Sequence, residues 1–273
     1  MPELPDLEVV REFLGTALVR AVVTRAEVWR PLVVRDLVSE PAAAALVGRS
    51  VRAVGRRGKY LCLDFGPDLW LVINPKLAGR LAWRDCGEPA PAHTALTVGF
   101  SSEHDLHYLD PKDMGQVYLT PTPDRVPGYA AQGPDALDPT LTPKVFATRL
   151  SRFRGEIKGV LTRQEAVSGI GNAYADEILF RAEISPFRKR TSLSDTEVDR
   201  LYRAMRDVLE EAIAVLRPRV GSQFEIEVRD FLQIHRRGGQ PCPRCGRPIS
   251  ELHARQRITS FCRGCQPGTL VRN

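Results

Sequence analysis

Cys242, Cys245, Cys262 and Cys265 form a C-x2-C pair, sixteen intervening residues and a second C-x2-C pair. Two thiolates two residues apart can grip one ion from a single tight turn. Two such turns complete a tetrahedral shell around zinc. Pro241, Pro243, Gly246, Pro248 and Gly264 supply turn chemistry at both knuckles. Disulfides and a redox C-x-x-C pair are the competing readings. A cytosolic chain disfavours the first, and the doubling weakens the second. The spacing therefore predicts one Zn²⁺, structural because sulfur fills all four positions. Cys62 and Cys86 lie far away and read as ordinary buried or surface thiols.

Charge is distributed unevenly around this cluster. The last 43 residues hold eight Arg and one acid, Glu251, and carry +7, whereas the preceding 230 residues sum to −1. Four thiolates on one Zn²⁺ would lower the tail to about +5. A compact basic segment points to a polyanionic partner, nucleic acid first.

Positioning these groups requires a folded scaffold, and the 273 residues, 43% hydrophobic and 26% charged, can bury a core. No apolar run reaches 18 residues, so no membrane span is expected. The Met-Pro-Glu-Leu-Pro-Asp start lacks a basic stretch followed by an apolar one, which predicts a cytoplasmic protein. Residues 5–18 read as a helix: Pro5 suits the first turn, and Leu7, Val10, Leu14, Ala17 and Leu18 form an apolar stripe. Between about 20 and 120, β-type runs such as Tyr60–Phe65, Leu69–Ile73, Leu96–Phe100 and Gln116–Leu119 dominate. Six prolines between 121 and 143 break regular structure. Helical patterns follow at Val145–Phe153, Ile157–Arg163, Ala173–Ala182 and Asp195–Leu216, the last opened by Ser194 and Glu197 in capping-box spacing. The expectation is an α+β multidomain chain. It comprises a β-sandwich with flanking helices over 1–120, a Pro-rich linker over 121–143, a helical domain over 144–230 and a zinc-ribbon hairpin over 231–273.

Three further signals combine with the ribbon: the Met1-Pro2-Glu3-Leu4-Pro5 start, Arg56-Arg57-Gly58-Lys59, and Gly169-Ile170-Gly171-Asn172-Ala173-Tyr174-Ala175-Asp176-Glu177. Together and in this order they resemble the formamidopyrimidine-DNA glycosylase and endonuclease VIII family of base-excision repair enzymes. Leu4 leans towards the formamidopyrimidine branch. The resemblance implies that removal of Met1 exposes the Pro2 secondary amine. That amine attacks the sugar of a flipped nucleotide, forms a Schiff base and leads to β,δ-elimination. Glu3 would shuttle protons. Lys59 would assist from a hairpin. Asn172 at the head of a helix–two-turn–helix motif, Lys158, and Arg257 at the tip of the zinc hairpin would contact phosphates. The partner implied is double-stranded DNA with a damaged base or abasic site, bound by a monomer.

The residues expected to fill the gap left by the flipped base depart from the family. In Asn74-Pro75-Lys76-Leu77-Ala78-Gly79, Leu77 replaces the usual Met. In Asp110-Pro111-Lys112-Asp113-Met114-Gly115, Lys112 and Met114 replace the usual Arg and Phe. Asp6 stands where Glu is frequent, and the run from Gly221 to Gln240 is shorter than the family's capping loop. Leu77 and Met114 can still wedge between bases. The changes alter lesion reading and leave the covalent chemistry intact. A non-catalytic DNA-damage or DNA-structure binding protein is the competing function, and a free N-terminal proline discriminates against it. A zinc-ribbon RNA-binding protein would leave Pro2 and Glu3 unexplained.

Overall fold

The computed structural model describes residues 1–254 and 257–268, and the chain clusters into two units. The first comprises residues 1–131 and 213–228 and the second residues 132–212 together with the chain from 229 onward.

The first unit begins with helix α1 (Leu4–Leu18). Glu3 is its N-cap: the Glu3 carboxylate accepts from the Asp6 amide, and Asp6 Oδ2 accepts from the Glu3 amide at 2.8 Å. This reciprocal box satisfies two backbone donors that the first turn would otherwise leave open. Leu4, Leu7, Val10, Leu14 and Leu18 are buried. Then come β1 (Val23–Val28), β2 (Val34–Asp36), the short α2 (Ala42–Leu46), β3 (Ala53–Arg57), β4 (Tyr60–Asp64), β5 (Trp70–Asn74), β6 (Arg80–Asp85), β7 (Thr94–Phe100), β8 (His104–Leu109) and β9 (Gln116–Thr120).

The strands form two sheets, ordered β1-β7-β8-β6 and β2-β9-β5-β4-β3, with all pairs antiparallel except β2–β9. Period-2 alternation sends Leu61, Leu63, Leu71 and Ile73 into the main core with Leu96, Val98 and Leu106. Each fully enclosed leucine contributes about 1.5–3 kcal/mol by leaving water. Tyr60, Cys62, Val72 and Tyr118 go the other way, into a second cluster with Val126. Because β4 and β5 are buried on both faces, they read as continuous apolar runs in the sequence.

The second unit holds α3 (Pro143–Leu150), α4 (Ile157–Leu161), α5 (Asn172–Arg181) and most of α6 (Asp195–Val220), followed by the hairpin of β10 (Ser250–Ala254) and β11 (Arg257–Phe261). Thr142 caps α3 through Val145 N, with Pro143 in its first turn. Ser194 and Glu197 form the expected box at α6, their side chains accepting from each other's amides. That helix continues four residues past the expected Leu216, through Pro218. Pro218 forfeits the bond to the carbonyl four residues earlier, but only two residues follow it in the helix, and Glu12 holds Arg217 with two bonds of 2.8 and 2.9 Å. Among the described residues no helix is long and apolar enough to cross a membrane.

Candidate active site and nucleic-acid interface

In the first unit, Pro2 and Glu3 are buried at the head of α1. Pro2 lines a narrow cavity of about 40 Å³ with Asp6, Pro75, Arg80, Phe224 and Glu227. Met1 precedes Pro2, and its ammonium group meets Glu227 Oε1 at 3.1 Å. Arg80 reaches Glu227 Oε2 at 3.1 Å.

Lys59 occupies the two-residue turn between β3 and β4. Gly58 supplies φ +56° at the first turn position, which a hairpin of this length demands and side chains resist. Arg56 fastens this turn to α1: its Nε donates to Glu8 Oε2 at 2.6 Å and its Nη1 to Gly58 O at 2.9 Å. Burial pushes the Glu8 carboxyl up, but hydrogen bonds and charge from Arg11 and Arg56 together hold it below its ordinary range.

Leu77, Lys112 and Met114 stand exposed on two loops of this unit, Leu77 at 49% and Met114 at 47%. Both loops close on Tyr108. A methyl group at Gly79 would come within 2.1 Å of the Tyr108 hydroxyl, and one at Gly115 within 1.8 Å. Asp110, fully buried, accepts from Lys112 N at 3.1 Å and Gly115 N at 2.5 Å, shaping the second loop.

In the second unit, Lys158, Asn172 and Arg257 line one cavity of about 420 Å³, with Gly159, Pro186 and Thr259. Gly171 caps α5 and Asn172 opens it. Gln164 holds the preceding loop, donating to Ile170 O and accepting from Gly169 N. Arg257 is exposed at the start of β11, paired with Ala254 of β10. Lys158 is 8% exposed, with its ammonium group 2.7 Å from Asp176 Oδ1, 2.8 Å from Ile258 O and 2.9 Å from Thr259 Oγ1. Asn172 Nδ2 donates to the same Ile258 carbonyl at 2.8 Å. Lys158 and Asn172 therefore fix the strand that carries Arg257.

Beneath this cavity, Asp176 Oδ2 lies 2.7 Å from His235 Nδ1 and accepts from Ser260 N. Glu177 accepts from the backbone N–H groups of Gln233, Ile234 and His235. Burial raises the Glu177 carboxyl above its ordinary range, and those three hydrogen bonds only partly offset it.

The four cysteine sulfurs lie within 4.8 Å of one another, with Cys242–Cys265 at 3.8 Å and Cys245–Cys262 at 3.4 Å. Zn–S bonds of about 2.3 Å in a tetrahedron put sulfurs about 3.8 Å apart, so the set fits one zinc ion. The Arg247 amide, with help from Cys262, draws the Cys245 thiol down to about 7, so that it readily provides a thiolate. Bound zinc would tie the two knuckles together against Phe180, Ile234 and Ile249. The remaining cysteines are a buried thiol, Cys62, which burial pushes up to about 11, and an exposed one, Cys86.

Arg80, Glu227 and His235 carry no local sequence signature, and the motif that contains Asp176 does not show its partners Lys158 and His235. Each is defined by a partner far along the chain.

Residues 1–117 match the formamidopyrimidine-DNA glycosylase N-terminal domain, 132–222 the formamidopyrimidine-DNA glycosylase H2TH domain, and 239–268 the zinc finger found in FPG and IleRS. A formamidopyrimidine-DNA glycosylase of Pelotomaculum thermopropionicum is 34% identical over 273 residues, spanning 97% of this chain and 99% of that protein. One from Moorella thermoacetica is 37% identical over 259 residues, spanning 92% and 94%. Lactococcus lactis Fpg, solved in complex with DNA containing an abasic site, matches with a TM-score of 0.87 at 28% identity, covering 97% of this chain and 100% of that one. MutM in complex with DNA containing carbocyclic 8-oxo-G matches with a TM-score of 0.86 at 29% identity, covering 98% and 100%. Three domain matches in chain order and relatives that span nearly the whole length show that this chain belongs to the formamidopyrimidine-DNA glycosylase family.

Proposed function

We propose that this protein is a base-excision-repair DNA glycosylase with abasic-site lyase activity. The observation that carries the reading is Pro2, one residue from the chain start, buried in a cavity at the head of α1. Removal of Met1 turns its amide nitrogen into a secondary amine. In its neutral form that amine carries a free lone pair. Its lone pair attacks C1′ of a flipped nucleotide as the C1′–base bond breaks and the base leaves with the bonding electrons. Ring opening gives an iminium ion. Glu3 passes the proton from nitrogen to the ring oxygen. The iminium acidifies the adjacent carbon, and β- then δ-elimination cleaves the strand. Lys59 contacts the phosphate beside the lesion and assists protonation.

Lys158, Asn172 and Arg257 bind the phosphates flanking that nucleotide, which positions the duplex without reading its sequence. Leu77, Lys112 and Met114 occupy the space the flipped base vacates. With no Arg or Phe in that set, opposite-base selection is weak, and abasic-site cleavage ranks ahead of 8-oxoguanine excision. Zinc, when bound, rigidifies the hairpin and takes no part in the chemistry. The working division is a catalytic sandwich over 1–120, a linker over 121–143, a DNA-binding helical domain over 144–230 and the ribbon over 231–273, in a cytoplasmic monomer.

Borohydride trapping on duplex DNA with an abasic site tests the reading. A covalent complex with correctly processed protein, absent in Pro2→Gly, is expected. Binding without any trapped complex would favour a non-catalytic damage-binding protein instead.

A further inference from the structure

The segment 221–228 is a short strap anchored at three points within the first unit. Phe224 is 6% exposed and packs edge-on to Phe13 with ring centroids 5.0 Å apart. Glu225 pairs with Arg84. Glu227 receives Arg80 on one carboxylate oxygen and the chain's terminal ammonium on the other, each at 3.1 Å. Arg80 belongs to β6, so Glu227 is held in place independently of Met1.

Loss of Met1 moves the terminus by one residue, leaving the Pro2 amine within about 7 Å of the Glu227 carboxylate, since consecutive Cα atoms lie 3.8 Å apart. Both already line the same cavity. The other charged groups at this end are Glu3 and Asp6 of α1 and Arg80 of β6. Glu3 and Asp6 are engaged with each other's backbone amides in the helix cap. Glu227 meets the terminal amine through an ion pair at 3.1 Å.

We propose that Glu227, oriented by Arg80, takes the proton that must leave the Pro2 ammonium before attack and returns it when water departs, while Glu3 keeps the transfer of the remaining amine proton. This rests on the reading of Pro2 as the nucleophile. At an abasic site the steps balance as follows. The ammonium form gives one proton to Glu227. The freed lone pair forms the N–C1′ bond with the aldehyde, and Glu3 passes the remaining amine proton to the carbonyl oxygen. The Glu227 carboxyl returns its proton, the C1′–O bond breaks, water leaves and the iminium remains. Arg80 holds the Glu227 carboxylate in place through their 3.1 Å ion pair.

The test is the rate of borohydride trapping on abasic duplex DNA against pH, using protein whose N-terminal proline is verified by mass. Glu227→Gln should lower the plateau rate at least about tenfold, as loss of an acid–base group does. It should also move the acid-side midpoint down by about half a unit or more, because a neighbouring carboxylate favours the charged amine. Glu227→Asp, which retains the carboxylate, should keep the wild-type midpoint with a reduced plateau, and serves if the Gln variant fails to fold. A Glu227→Gln protein with wild-type plateau and midpoint overturns the proposal while leaving Pro2 as nucleophile. So does one in which only DNA affinity changes. Wild-type protein that traps nothing overturns the nucleophile reading and this proposal with it.

Discussion

The Glu8 carboxylate and the Arg56 guanidinium meet at 2.6 Å across 48 residues of sequence, joining the helix headed by Pro2 and Glu3 to the hairpin turn of Lys59. Arg56 is only 6% exposed, so removing one partner leaves the other partly buried and uncompensated. Arg56→Met should cost about 2–3 kcal/mol, at the low end for a broken buried pair because Glu8 keeps Arg11. Catalysis should fall further than stability, since the turn carrying Lys59 loses its tie. Urea unfolding combined with abasic-site cleavage checks both, and unchanged cleavage in a folded variant would separate the pair from the site.

The same pair makes stability depend on acid. Glu8 sits below its ordinary value of 4.5 in the folded chain. Its stabilising contribution is therefore complete above that value and fades as pH falls through the lower, folded one. Thermal midpoints measured from pH 6 down to pH 3 should drop less steeply in Glu8→Gln than in wild type. Parallel curves would show that other carboxylates dominate acid unfolding.

How much of this was legible in the sequence depended on the range of the interaction. The four cysteines are evident because a metal shell imposes its own spacing, and α1 because its apolar stripe repeats every turn. Strands β4 and β5 are readable as apolar runs. Their pairing with β3 and β9, which seats Lys59, depends on register that no short segment encodes. Pairs such as Arg80 with Glu227 and Arg84 with Glu225 join residues that look like solvated charge in isolation. Only the folded chain reveals them. The end of α6 lies beyond the expected Leu216 for the opposite reason: the helix runs through a local breaker, Pro218, where Val220 packs on the core and Glu12 holds Arg217.

Tyr108 is the shared support of the Leu77 and Met114 loops, and the space around its hydroxyl admits no side chain at Gly79 or Gly115. Gly115→Ala should destabilise the first unit by about 1–3 kcal/mol, as overpacking typically does, and weaken binding to duplexes containing an abasic site. Tyr108→Phe added to Gly115→Ala removes the nearest clashing atom and should restore part of both. Calorimetry and fluorescence anisotropy on the three proteins decide it. A double variant no better than Gly115→Ala would mean that the Asp110 carboxylate, 2.8 Å from the same methyl position, sets the limit.

Zinc removal should act through the hairpin and not through the chemistry. Chelation frees the two knuckles, exposing the cluster of Phe180, Ile234 and Ile249 that they cover. The strand bearing Arg257 then loses its anchorage at one end. DNA affinity should fall at least about tenfold, equally for damaged and undamaged duplexes, because phosphate contacts carry no sequence information. Anisotropy titrations before and after verified metal loss test this. A loss confined to damaged DNA would instead tie the hairpin to lesion reading.

Asp176 decides whether the cavity lined by Lys158, Asn172 and Arg257 keeps its shape. Its carboxylate is fully buried and holds Lys158 on one oxygen and His235 on the other, each at 2.7 Å. Lys158 in turn supports Ile258 and Thr259, next to Arg257. Asp176→Asn removes the charge that compensates a buried ammonium group, and should cost about 3–5 kcal/mol. Lys158→Met alone leaves Asp176 paired with His235 and should cost less. Adding Lys158→Met to Asp176→Asn deletes the stranded cation, so the double variant should be more stable than Asp176→Asn itself. DNA affinity, however, should remain low in all three, because each weakens the set of contacts that holds the hairpin strand. Denaturant midpoints read beside abasic-duplex affinities separate the two effects. Recovery of affinity together with stability in the double variant would show that Lys158 neither supports the strand nor contacts phosphate.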